Sequence, residues 1–416
     1  MDLTTLLTQN KADENGDFER GEERKEIVLS KSTLRFGEKL CAATLGIDLL
    51  YLKEISALKR SDGLVVLNMG SVLAEAFSNY EEARGFLASL AREALCLPEE
   101  DRRLYYTQAC LSLDSFCAVR LGFLPRLFSQ IGLFLHVDPA SPDDTQLECC
   151  KRKIRELLTE MNYTGDLKEQ SRQWEVKNTV PADEIQQVME ELMTLAREKT
   201  GEILELPEGD YYHCVTERNC VFNAKSDYKN RSVVVNIDPV LTRPALKHLV
   251  CHECYPGHFM QFSLRQRLYE KGVAAADGLL SVVNHSSSAV FEAIGDAGIE
   301  FIDWVENDDD RVNALFTELK AMLSAAASYR LHGLGWPEAK VMDWLRSQAL
   351  VGGEGWIAGR MKFIQEPARS ALIWSYWRGG LGMFGVWKRI PSGKRAEFFD
   401  YLYGRLHTVQ SLQLFG

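Results

Sequence analysis

The sequence predicts a mainly α protein: a multi-helix domain with one small antiparallel β-sheet immediately before a helix that carries a His-Glu motif. Three observations lead there. Apolar residues recur at three- and four-residue intervals through most of the chain, the period of a helix with one buried face. One stretch, Tyr211–Asp238, is instead rich in β-branched and aromatic residues divided by polar turn material. Apolar residues make up 46% and charged residues 26% of the 416, a balance that lets a globular chain bury a sizeable core.

Residues 1–30 are polar and acidic with few apolar positions, which predicts a mobile arm. Ser71–Ala94, Arg102–Phe134, Asp144–Met161 and Pro181–Thr200 each show the helical period, so residues 31–205 read as an N-terminal helical region. Pro181, with Asp183 and Glu184 in the first turn, suits a helix start, and Gly201 marks a stop. Residues 206–416 form the region carrying the candidate chemistry, continuous with the helices before it. Its sheet pairs Tyr211–Thr216 with Ser232–Ile237 across the turn material of Ser226–Asn230. Thr242-Arg243-Pro244 then opens a long helix from about Ala245. Helices follow at Ser288–Val305, Arg311–His332, Pro337–Leu350, Ala371–Lys388 and Arg395–Leu412.

The net charge of −11 argues against nucleic acid as the main partner, because phosphate binding needs a basic surface. Ten cysteines without a repeating spacing read as reduced thiols. The first residues lack an apolar signal core, and apolar runs such as Cys41–Tyr51 are too short to span a bilayer. A cytoplasmic protein without membrane partners is the expectation.

The most informative stretch is His252-Glu253-Cys254-Tyr255-Pro256-Gly257-His258. Imidazole is the commonest protein ligand for zinc, and a carboxylate beside a metal-bound His can deprotonate the metal's water. Residues six apart on a regular helix point about 240° apart, so His252 and His258 share no face unless the helix is disturbed. Pro256-Gly257 provides the disturbance: proline removes a backbone donor and clashes with the preceding turn. A local rewinding at about three residues per turn would bring the two imidazoles to one face. Competing readings remain at this stage: His248 and His252 form a regular i, i+4 pair, Cys251 and Cys254 are soft donors nearby, and histidines are often ordinary core residues. For a third ligand, Glu292 is the best candidate. It belongs to an acidic series, Glu292, Asp296 and Glu300, that repeats every four residues, and Ala293, Gly295, Ala297 and Gly298 permit close helix approach.

These residues resemble an uncharacterised family of zinc metallopeptidase-like proteins with the motif HExxPGHH (domain of unknown function 885), related to the gluzincin-type peptidases. The resemblance rests on Phe222-Asn223, Asn230-Arg231-Ser232 and Val235–Asp238, on His252–His258, on Glu292–Gly295, and on Ser375–Gly379, within roughly residues 30–410. It implies zinc as cofactor, held by His252, His258 and Glu292, with Glu253 as general base and Tyr376 as a phenol stabilising the oxyanion. Phe259 stands where the family has a second His, and Ala293 where it usually has Gly.

The reaction so implied is metal-assisted hydrolysis of a peptide or another small amide, with Glu253 accepting and returning a proton. Candidate substrate contacts are Val234 and Asn236, on a strand able to pair with an extended peptide, together with Arg378 and His285. Two other functions remain open: hydrolysis of a non-peptide amide or ester, and a non-catalytic helical binding protein whose metal site is degenerate.

Overall fold

The computed structural model describes residues 28–57, 63–123, 127–209, 211–220, 222–366 and 369–415; of the expected arm at 1–30, residues 1–27 lie outside them. In chain order the elements are α1 (Lys31–Ala57), β1 (Val65–Asn68), α2 (Tyr80–Ala94), α3 (Glu100–Arg120), α4 (Leu127–Leu135), α5 (Asp144–Glu160), α6 (Leu167–Asn178) and α7 (Ile185–Ile203). There follow β2 (His213–Glu217), β3 (Ala224–Asp227), β4 (Ser232–Asn236), α8 (Arg243–Glu253), α9 (His258–Glu270), β5 (Leu280–Val282), α10 (Ser288–Phe301) and α11 (Asp308–Ser328). The last are α12 (Glu338–Gln348), α13 (Gly353–Gln365), α14 (Gly380–Trp387), α15 (Arg395–Gly404) and α16 (Val409–Leu412). The protein is mainly α, as its periodicity predicts.

Boundaries differ from expectation where local chemistry intervenes. Ser71–Ala94 is helical only from Tyr80, because Asn79 adopts an extended backbone and its side chain accepts from the Glu82 amide, capping α2 there. Arg102–Phe134 is two helices rather than one. Gly122, in left-handed backbone at φ 89°, follows the end of α3. Asp143 caps α5 with a reciprocal capping box through Gln146. Gly201 does not stop α7, which runs to Ile203.

The chain divides into two compact units, interleaved in sequence. One comprises Ala140–Met260 and Glu292–Trp377. Within it α5 packs on α11, α7 packs on α8, and β2, β3 and β4 form a sheet in the order β2-β4-β3. That sheet is mixed, not purely antiparallel: β2 runs parallel to β4, and only β3 is antiparallel to it. The two strands expected to pair antiparallel are therefore parallel neighbours. Ala224–Asp227, in the connection between them, is the strand that turns back, through the left-handed Arg231 (φ 51°), to pair with β4.

The other unit comprises the described residues before 140, Gln261–Phe291 and the chain from Arg378 on. Its core gathers Phe36, Leu40, Ile47, Leu87, Tyr106 and Leu113 from α1, α2 and α3, all nearly inaccessible. A second small sheet, β1 with β5, lies in this unit. Among the described residues no helix is long and apolar enough to cross a membrane.

Candidate metal centre

The motif helix is held firmly at its start. Thr242 caps α8 by accepting from the Ala245 amide at 3.3 Å, with Pro244 in the first turn, where a missing N–H costs nothing. One turn on, the buried Lys247 ammonium reaches Glu306 at 2.8 Å and Asp310 at 2.7 Å, which ties α8 to the beginning of α11. α8 ends at Glu253. The segment Cys254–Gly257, with a cis Tyr255–Pro256 bond, is not helical, and α9 starts afresh at His258. The expected rewinding at three residues per turn is thus replaced by a full break. A Cβ on Gly257 would collide with the His252 carbonyl, so the tight reversal needs glycine there.

α10 supplies the third group. Gly295 and Gly298 bring its backbone onto α8: a Cβ at Gly295 would lie 2.7 Å from His252 Nδ1, and one at Gly298 would lie 2.8 Å from the Cys251 carbonyl oxygen. Glu292 and Asp296, one turn apart, consequently face the imidazoles. His252 Nε2 lies 3.3 Å and His258 Nε2 lies 3.7 Å from Glu292 Oε2. The two rings meet edge to face, with centroids 4.6 Å apart. One ligand atom from each of His252, His258 and Glu292 falls within 4.8 Å of the others. Two imidazoles and one carboxylate so gathered are a donor set that fits zinc.

Asp296 completes the arrangement, a role the sequence reading did not assign although it noted the acidic spacing. Its Oδ1 lies 2.9 Å from His252 Nδ1, so Nδ1–H donates to Asp296 and Nε2 is turned toward Glu292. His248 Nε2 approaches the same oxygen at 3.3 Å. His248, His252 and Asp296 form a second close cluster, which shares His252 with the first. Burial opposes charge on His252, yet Asp296 foremost, then Glu292 and Glu253, hold its protonated form well above the usual range. Burial works against the Glu292 carboxylate too, but the His252 and His258 hydrogen bonds bring it down to about 2.

Glu253 is buried, and its Oε2 accepts the Ser226 amide of β3 at 2.8 Å, an unforeseen contact that orients the carboxylate. Tyr376, in a single wide helical turn at Ser375–Gly379, packs edge-on against Phe363. Burial chiefly, followed by Glu292, pushes its phenol far above the ordinary range, so it remains a proton donor. His252, Glu253, Asp296 and Tyr376 line one cavity of about 220 Å³. Phe259 points into an aromatic cluster, its ring centroid 4.3 Å from Tyr212 and 5.2 Å from Tyr255. Cys251 and Cys254 are buried thiols whose ionisation desolvation opposes, and neither joins a candidate metal cluster.

The four expected substrate contacts are not assembled at this cavity. Val234 and Asn236 belong to β4, the middle strand, which has neighbours on both sides and no free edge. Arg378 belongs to the other unit, where its Nη2 pairs with Asp138 at 2.8 Å. His285 is also in that unit, buried, with Nδ1 3.2 Å from Ser287 Oγ, and burial brings its pKa down to about 3.

No protein-family model matches the chain, and a search of curated proteins gives no match. Solved structures similar to it include these two. One, from Colwellia psychrerythraea, is described as a "putative lipoprotein"; at 12% identity and TM-score 0.52 the match covers 79% of this chain and 65% of that one. The other, from Shewanella oneidensis, is described as a "putative lipoprotein of unknown function"; at 12% identity and TM-score 0.50 it covers 80% of this chain and 70% of that one. This chain therefore spans less than two thirds of the first neighbour's length. At such identity the likeness is one of fold alone. It overturns the resemblance to the HExxPGHH zinc peptidase family: neither the sequence comparisons nor these neighbours support it, and its four short islands do not define a family.

Proposed function

We propose that the protein is a zinc-dependent hydrolase that cleaves peptide bonds. The reading rests on one observation, the convergence of His252, His258 and Glu292 from three helical segments, with Asp296 holding His252 in the required tautomer. Zinc held by these residues supplies a Lewis acid and a water whose pKa falls to about 7. Glu253, anchored through one oxygen by the Ser226 amide, accepts the water's proton on the other and returns it to the departing amine. The Tyr376 hydroxyl, still protonated at neutral pH, donates to the developing oxyanion, a contribution of about 3 kcal/mol by analogy with other oxyanion donors.

The sheet supports a peptide as substrate, through β3 instead of β4. Asn236 N–H donates to the Asn223 carbonyl at 2.8 Å, so antiparallel alternation turns the main-chain groups of Ala224 and Ser226 away from β4. Ser226 uses its outward amide on Glu253, and Ala224 lines the cavity. An extended peptide pairing along this edge passes beside the general base. The ten cysteines all being free thiols favours a reducing, cytoplasmic setting.

Metal analysis of purified protein tests the reading, with one zinc per chain expected and its loss in His252→Ala. Glu253→Gln is expected to keep the zinc and lose hydrolysis of a peptide library. A chain that binds no zinc, or a Glu253→Gln protein that still cleaves peptides, overturns the assignment.

A further inference from the structure

Two cations in the same cavity have no anion. Lys320 on α11 and Arg360 on α13 line its wall, half-buried, both near Trp356: the ammonium lies 5.7 Å and the guanidinium carbon 6.0 Å from that ring's centroid. Among the described residues neither makes an ion pair, and the Arg360 Nε is buried without a hydrogen-bond partner. The acids that line the cavity are committed elsewhere, Asp296 to two imidazoles and Glu253 to the Ser226 amide. Glu175 acts on Lys320 at longer range, but its Oε1 accepts the Gly352 amide at 2.6 Å. A charge withdrawn from water costs free energy unless it is paired, and a guanidinium beside an ammonium suits a carboxylate.

We propose that Lys320 and Arg360 form the subsite for the terminal carboxylate of a short peptide, which would make the chemistry at the metal centre act near the C-terminal end of its substrate. This rests on the hydrolase reading for the reaction, but not for the binding. The cavity's size agrees: about 220 Å³ has room for a short end segment of a peptide. Burial also brings the Lys320 pKa down to about 8, the behaviour of an ammonium that lacks its counter-ion.

Calorimetric titration of zinc-loaded Glu253→Gln protein tests this, with N-acetyl-tetraalanine, its C-terminal amide, and an amide carrying one internal aspartate. The free acid is expected to bind at least about tenfold more tightly than either amide, the scale of one charge-assisted hydrogen bond. Adding Lys320→Met or Arg360→Met should reduce that preference to under about threefold, with Arg360→Lys retaining more of it. On the parent protein, which needs no further variant to fold, N-acetylalanine should compete with the acid and N-acetylalanine amide should not. Equal binding of acid and plain amide overturns the subsite, and an aspartyl amide binding as tightly as the acid overturns its assignment to a chain end. Protein that takes up no zinc when offered it, yet keeps the preference, retains the subsite and overturns the hydrolase reading alone.

Discussion

Each unit buries a cluster of ionisable side chains, and the two clusters are built on opposite rules. In the unit containing α3 and α15, Arg102, Arg405 and Tyr106 each reach a buried acid. Arg102 Nε donates to Asp101 at 2.9 Å, Arg405 donates to the same oxygen at 3.2 Å, and Tyr106 donates to Asp277 at 3.0 Å. His407 Nε2 lies 2.9 Å from the Tyr401 carbonyl, and the space left among these groups is only about 10 Å³. In the unit containing α8, two imidazole nitrogens instead converge on one carboxylate oxygen beside a cavity of about 220 Å³, hydrogen-bonded to it when protonated and able to offer three ligand atoms to a cation when not. A matched network stabilises itself; a convergence of ligand atoms beside open space can exchange its protons for a cation. Burial and ionisable residue type are common to both clusters and do not distinguish them. Donor–acceptor bookkeeping does.

Four perturbations test that contrast. The largest effect belongs to the matched network: Arg102→Met leaves Asp101 without its main partner, and denaturant unfolding should show a loss of about 3–5 kcal/mol with zinc content unchanged. Loss of zinc in that variant would mean the networks are not independent. Next comes Asp296→Asn, which removes the acceptor fixing His252. Competition with a chromophoric chelator should show zinc bound about 10- to 100-fold more weakly, and the unfolding midpoint of the metal-free protein should fall too, because buried His252 loses the acid that holds its charge. Phe259→His places a polar ring in the aromatic cluster and should cost about 1–3 kcal/mol without adding a zinc ligand; a tighter zinc affinity would show that position 259 reaches the metal.

The smallest effect is a pH dependence. Lys320 has a folded pKa of about 8 against 10.5 in a free chain, so between these values the unfolded state binds more protons and stability rises with pH. Thermal midpoints of the unliganded protein should gain a component that climbs across this window and is missing in Lys320→Met. A bound carboxylate should abolish it.

Much of this was legible along the chain. The candidate site residues His252, Glu253, His258 and Glu292 stand out because their types and spacing suit metal chemistry, and Pro256-Gly257 announces the break between the two histidines. Asp296 carried a usable signal, lying four residues after Glu292 on the same face, but only its 2.9 Å approach to Nδ1 assigns it a role. Ser226, Lys320 and Arg360 carried none: an ordinary serine amide and two ordinary cations acquire meaning from neighbours far away in sequence. Arg378 shows the converse error. Its position near Tyr376 suggested substrate contact, yet Asp138, 240 residues earlier, takes the guanidinium.

Helical periodicity, capping residues and the glycine-proline break are set within a few residues of backbone, where the 3.6-residue period and local hydrogen bonds act, so the chain alone determined the mainly α architecture and the segment from which the imidazoles project. Which strand became the centre of the sheet, which carboxylate met which imidazole, and which cations were left unpaired depended on packing between segments tens to hundreds of residues apart. Local propensity carries no information about such encounters, because their energies arise only when distant surfaces are buried against each other.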